Sequence, residues 1–279
     1  MVLFPLVRSL RASGLSFAQL QRNLFEKTQI RLSKATISGW VHGAHDPLGR
    51  VNKFDAEPSP ELAYTIGVVL GDGNLNVHEY HNEILLSVTD GDFAKEFSRC
   101  LSIVLNKSRP YRVRWSENRK RWIVQGASIL LHKFLSRQCR ELRPWIRHCR
   151  KCETAFLRAF YDSEGSVSGG IQVSNTSKDV LFFVRHLLRE LRIETGKLYV
   201  QKIAGTILKD PRTGRLYARK KNCYALRVRS KSVLDFTNIV GFTIERKQLK
   251  LLEIAGIRVQ TRSPGRARRD LNPRPSALL

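Results

Sequence analysis

The chain is 279 residues long, enough for two compact domains with cores of their own. Its 49 Lys and Arg against 24 Asp and Glu leave a net charge of +25 along the whole length, and 42% hydrophobic residues exclude a disordered basic tail, so a folded binder of a polyanion is expected. No apolar run is long enough for a bilayer, and Arg8 and Arg11 interrupt the N-terminal segment before a signal-peptide core can form. A membrane partner is therefore excluded, and an intracellular protein, cytoplasmic or organellar and not secreted, is expected.

Residues 1–45 read as a helical unit. A first helix is closed by Gly14. Ser16 caps a second over about 17–25, with Gln19 as its capping-box partner. Ser33 or Lys34 begins a third that passes Ile37 and Trp40 and ends near Gly43. Leu20, Leu24, Leu32, Ile37 and Trp40 fall inside. The order resembles a helix-turn-helix module whose recognition helix exposes Lys34, Thr36 and Ser38. The plainer alternative is a three-helix cap packed on the main body. Residues 46–59 are a linker by composition, with Pro47, Gly49 and Pro58.

From Ser59 or Pro60 a mostly apolar helix leads to Gly71-Asp72-Gly73. An alternating strand at 83–89 follows, then a helix at about 92–105, strands at 111–115 and 121–125, and a helix at 128–140. A second apolar helix then leads to Ser163-Glu164-Gly165, and the series returns. It has a strand at 171–174, a helix at 178–191, a long hairpin of 197–207 with 215–229, and a helix at 232–239. The hairpin turns at Asp210-Pro211-Arg212-Thr213-Gly214, where Asp-Pro opens and Gly closes. The body is expected to be a tandem repeat, 60–148 and 149–260, in an α+β architecture of two pseudo-symmetric halves. The basic, breaker-rich stretch at 261–279 is expected to be a disordered tail.

The cysteines, Cys100, Cys139, Cys149, Cys152 and Cys223, are odd in number and scattered, which argues against a disulfide scaffold. Cys149 and Cys152 have metal-ligand spacing, with His148 and Cys139 nearby. No second Cys-x-x-Cys completes a four-ligand zinc site, so free cysteines before a helix are expected.

The two apolar helices each end in one acid. Gly67 and Gly71 lie four apart on one face of the first, and Ala159 and Ser163 match them in the second. Small residues at that spacing let two helix backbones approach closely, so these faces are expected to pack at a pseudo-twofold axis. Gly73 and Gly165 are expected to be left-handed C-terminal residues. Asp72 and Glu164 then stand side by side at helix ends that already carry about half a negative charge each. Divalent cations resolve that repulsion. Hard oxygen ligands with open positions suit Mg²⁺, two or more ions being shared by Asp72 and Glu164, with the carbonyls of Gly71 and Ser163 as further ligands. A basic residue is expected beside them; Lys247 is the candidate, with Arg246 next in line. In so basic a chain this arrangement implies a nuclease.

Alternation assigns the strand faces. Ile84, Leu86 and Val88 face inward, against Glu83, Leu85, Ser87 and Thr89. Val113 and Trp115 oppose Arg112 and Arg114. Ile171 and Val173 oppose Gln172 and Ser174, and Leu226 and Val228 oppose Arg227 and Arg229. Each half thus offers a face rich in Arg, Gln and Ser, suited to base edges in a major groove; Gln125 and Asn175 complete that set. Lys120, Arg121, Lys202, Lys209, Arg212, Arg215, Arg219, Lys220 and Lys221 are candidates for phosphate contact.

The paired motifs resemble the signature of the LAGLIDADG homing endonucleases in their single-chain, two-motif form. Asp72 and Glu164 match the family's catalytic acids, and Gly67 and Ala159 its helix-packing positions; the resemblance spans about residues 60–256. It implies two αββαββα repeats forming a DNA-binding saddle and a monomer on double-stranded DNA. It also implies Mg²⁺-dependent cleavage of both strands of a long asymmetric site, with short 3′ overhangs, in the service of intron mobility. The N-terminal helix-turn-helix is an addition seen in some members. Thr65 and Arg158 are less apolar than the pattern prefers, and Lys247 is matched only by its place after the last strand. The chain starts at Met1 and ends without a terminal His-Asn, so an intron-encoded enzyme is expected rather than an intein. Two rivals share the fold: an RNA-binding maturase, with intron RNA as partner, and a non-cleaving transcription regulator. Neither needs the intact acid pair.

Overall fold

The computed structural model describes residues 3–44, 54–78, 81–210 and 213–257. Most of the expected linker, the turn residues Pro211 and Arg212, and the expected tail at 261–279 lie outside the described residues. The chain opens with α1 (Leu3–Ala12), α2 (Phe17–Thr28) and α3 (Lys34–Val41). Ser16 accepts the N–H of Gln19 while the Gln19 side chain takes the N–H of Ser16, the reciprocal cap that the spacing predicts. Gly14 turns at φ +88°, and Ser33 caps α3. Val7, Leu20, Leu24 and Ile37 form a small core of their own, with Trp40 packed against it.

The first half of the body contains α4 (Pro60–Leu70), β1 (Asn74–His78), β2 (His81–Val88), α5 (Gly91–Val104), β3 (Arg114–Ser116), β4 (Arg121–Ala127), α6 (Ile129–Leu135) and α7 (Cys139–Ile146). The second contains α8 (Arg150–Glu164), β5 (Gly165–Val167), β6 (Ile171–Asn175), α9 (Lys178–Glu190), β7 (Tyr199–Lys202), β8 (Ile207–Lys209), β9 (Leu216–Ala218), β10 (Cys223–Arg227) and α10 (Val233–Ile239). The helix α11 (Glu245–Ile254) follows. Two antiparallel sheets have the orders β1-β2-β4-β3 and β5-β6-β10-β7, the same order in each half with β10 in the place of β4. The strands β8 and β9 form a separate two-stranded arm between β7 and β10. The fold is thus the α+β pair of αββαββα repeats, plus the helical unit.

One continuous core fills the body, and α4 and α8 run through it. A Cβ on Gly67 would lie 2.7 Å from the Phe156 carbonyl and 2.8 Å from Ala159 Cβ; one on Gly71 would lie 2.4 Å from Ser163 Cβ. The two backbones meet where the small residues predict. Thr65 is fully buried and gives its hydroxyl to the Glu61 carbonyl at 2.8 Å, and Arg158 donates to the Val240 carbonyl at 2.7 Å, so both departures from the apolar pattern find partners.

Several expectations are corrected. Gly165 has φ −86°, and Gly73 is absent from the left-handed residues, so neither is the expected left-handed cap. Close approach demands them instead: a Cβ would stand 2.3 Å from the Tyr161 carbonyl at Gly165, where α8 passes straight into β5, and 2.8 Å from Val69 Cα at Gly73, in the short turn between α4 and β1. Those first strands, β1 and β5, had no signal, one being polar and the other three residues long. The helix expected at 128–140 breaks between α6 and α7, where the Ser136 hydroxyl returns to the His132 carbonyl. The strand expected from Tyr111 starts at Arg114, because the Tyr111 carbonyl accepts the Ser98 hydroxyl at 2.6 Å. The long hairpin divides where register shifts between Cys223 and Tyr224. Ile84, Leu86, Val88, Ile171, Val173, Leu226 and Val228 are buried as alternation requires, but Trp115 is 41% exposed and packs edge-on against Trp122 at 5.2 Å. No described helix is long and apolar enough to cross a membrane.

Candidate metal and nucleic-acid site

Because α4 and α8 approach so closely, their C-terminal ends bring Asp72 and Glu164 into one electrostatic neighbourhood. Asp72 reaches solvent, yet desolvation by the surrounding protein raises its carboxyl pKa against the charges of Lys247 and Arg121. Glu164 is half-buried. Burial first, and the charge of Asp72 second, push it up to about 7, while the Asn175 amide, donating to Oε1 at 2.8 Å, and Lys247 pull the other way. Desolvation disfavours the charged form of both carboxylates, and the charge of Lys247 offsets it only in part. All-oxygen donors, with the carbonyls of Gly71 and Ser163 preceding the acids in the chain, fit a hard divalent cation.

Lys247 lies in the first turn of α11 and is 9% exposed. Its Nζ donates to the Asp162 carbonyl at 2.5 Å and the Tyr161 carbonyl at 3.3 Å, in the last turn of α8. Burial lowers its own pKa, opposed by the charge of Asp162. Asp162 frames this arrangement and escaped the sequence reading. Its carboxylate is 2% exposed and accepts the N–H of Thr243 at 3.0 Å and of Ile244 at 3.2 Å, closing the entry to α11. Burial pushes it up to about 6 despite those bonds. The available signal was a second acid two residues before Glu164, directly after the apolar run Ala159-Phe160-Tyr161. Arg246 is occupied elsewhere: it forks onto Asp90, Nε to Oδ1 at 2.6 Å and Nη2 to Oδ2 at 2.8 Å, tying α11 to the start of α5.

On the first sheet's outer face Arg114 donates to Gln125 at 3.1 Å and Gln125 to Glu83 at 2.6 Å, within a cleft shared with Asn76, Trp115 and Ser116. Arg121 bonds the Ser87 carbonyl at 3.0 Å, and its charge reaches Asp72. Arg112 is exposed; Lys120 sits in the β3–β4 turn and pairs with Glu117 at 2.6 Å. On the second sheet Gln172 takes a bond from Tyr199 at 2.8 Å and donates to Ser174 at 3.3 Å. Asn175 is turned to Glu164 and to the Ser177 N–H, so it positions the acid. Arg227 bonds the Gly169 carbonyl and Arg229 the Thr195 carbonyl. Lys202, Lys209, Arg215, Lys220 and Lys221 are exposed along the arm and its base, and Arg219 is half-buried. In the helical unit Lys34 is exposed beside Arg22 and Arg31, Ser38 is half-buried, and the Thr36 hydroxyl lies 2.8 Å from that of Ser33 at the cap.

Residues 151–241 match the family model described as a LAGLIDADG-like domain. The chain is 33% identical over 253 residues to the uncharacterized protein MJ0398 of Methanocaldococcus jannaschii, covering 89% of this chain and 91% of that protein. A second uncharacterized protein of that organism, MJ0314, is 33% identical over 161 residues, 54% of this chain and 61% of the relative. Among solved structures, I-DmoI in complex with DNA and Ca superposes with a TM-score of 0.50 at 16% identity, covering 70% of this chain and 97% of that one; that likeness is one of fold.

Proposed function

Since the chain belongs to the LAGLIDADG family, we propose that it is a site-specific homing endonuclease, encoded in an intron, that cuts both strands of a long asymmetric DNA target as a monomer. The observation that carries this reading is the pair of desolvated carboxylates, Asp72 and Glu164, with Lys247 acting electrostatically on both. Mg²⁺ held by Asp72, Glu164 and the carbonyls of Gly71 and Ser163 would supply the charge that activates water and stabilises the leaving oxygen. Asn175 fixes the direction of the Glu164 carboxylate. Lys247, clamped by two carbonyls, offers a fixed positive charge to the crowded phosphate. The Arg and Gln side chains of the two sheet faces read base edges, while the basic arm and Arg121 meet phosphate. On this reading residues 1–45 add a second DNA contact, and 60–148 and 149–260 are the two repeats.

The test is cleavage of a plasmid library carrying random or candidate intron-insertion sequences, with Mg²⁺ or with EDTA. A linear product with one defined break, formed only with Mg²⁺, supports the proposal. Tight binding without cutting, in a library known to contain the joined exons, overturns it.

A further inference from the structure

The junction between the repeats carries a cluster that DNA cleavage does not use. The helix α7 ends at Ile146, α8 starts at Arg150, and His148 and Cys149 lie in the link. A ring nitrogen of His148 and the sulfurs of Cys149 and Cys152 all lie within 4.8 Å of one another, with the two sulfurs 3.4 Å apart. Cys149 is the N-cap of α8 and Cys152 stands in its first turn, so helix geometry places both thiols on one face.

These are the separations of ligands sharing one ion: tetrahedral Zn–S bonds of about 2.3 Å place two sulfurs roughly 3.7 Å apart. Two thiols and an imidazole are soft and borderline donors, which select a zinc-class cation over the hard ion suited to the carboxylates. We propose that His148, Cys149 and Cys152 form a second metal site, taking one zinc-class ion per chain with its fourth position open to water. Cys152 is fully buried in the body core, whereas His148 and Cys149 are exposed. The ion therefore ties the surface link to the core and fixes the joint between α7 and α8. Glu164 lies at the other end of α8, about 22 Å away at 1.5 Å per residue, so the two sites are separate.

The test uses the full chain, reduced and stripped of metal, titrated with Co²⁺ as a spectroscopic probe and then with Zn²⁺ in competition. One ion per chain should bind with a thiolate-to-cobalt charge-transfer band. The band should vanish in Cys149→Ser. In His148→Ala, binding should weaken by more than the roughly hundredfold that losing an outer partner costs at most. The Asp72→Asn, Glu164→Gln double variant should bind as the parent does. Cys149 and His148 are exposed, so both substitutions spare the core, and circular dichroism without metal checks the fold. No band in the parent, or a band of parental affinity in Cys149→Ser, would each overturn the proposal.

Discussion

The two halves of the body follow one path and differ around their acids. In the first half β3 and β4 meet at a tight turn and Asp72 is open to solvent. In the second, β7 and β10 part at a register shift, the β8–β9 arm fills the gap, and Glu164 is half-buried and held by Asn175. Duplication has kept what the backbone demands, a close helix pair and one strand order. The surroundings of each acid are not equivalent, so the two carboxylates answer differently to protons, cations and substitution.

The largest effect should come from breaking what the halves share. Gly67→Val places a branched side chain where even a Cβ would lie 2.7 Å from the Phe156 carbonyl, and should cost about 3 kcal/mol in denaturant unfolding. A loss under about 1 kcal/mol would mean that the helix pair is looser than described. Next, Asp162→Ala strands the N–H groups of Thr243 and Ile244 and should cost about 2 kcal/mol. Unchanged stability would remove Asp162 as the frame of Lys247.

The asymmetry between the acids can then be sharpened by pH. The folded-state pKa of Glu164 is raised from an ordinary 4.5 to about 7, so without metal its contribution to stability is fully present below 4.5 and is lost as pH rises through 7. A divalent cation replaces that proton. Stabilisation by Mg²⁺, followed as a melting-temperature shift, should therefore grow between pH 4.5 and 7 and then level off, and Glu164→Gln should flatten the dependence. A pH-independent shift in the parent would refute the assignment. Smallest, Asn175→Ala removes the bond that favours the charged form of Glu164 and should move the same profile to higher pH without altering the fold. No movement would leave Asn175 without its positioning role.

Much of this was legible in the chain. The helix contact followed from Gly67, Gly71, Ala159 and Ser163, because small side chains four apart have a local geometric meaning. The Ser16 cap and the buried faces of β2, β6 and β10 followed for the same reason. The acids and Lys247 were named from the sequence; their electrostatic coupling is visible only in the structure. Asp162 stayed hidden because its partners, Thr243 and Ile244, are some eighty residues away. Asn175 read as a base contact until its amide was seen turned to Glu164. The shift at Cys223 depends on pairing with β7, some twenty residues earlier, and the break after Leu135 on one side-chain bond from Ser136 to the His132 carbonyl, neither of which hydrophobic periodicity encodes.

The most direct test of the central claim uses a supercoiled plasmid bearing the sequence recovered from the library. Parent, Asp72→Asn and Glu164→Gln are each given Mg²⁺, and DNA binding is measured in parallel. The account predicts that the parent linearises the plasmid, whereas each variant binds with parental affinity and yields no linear product. Linear product at the parental rate from either variant would contradict it.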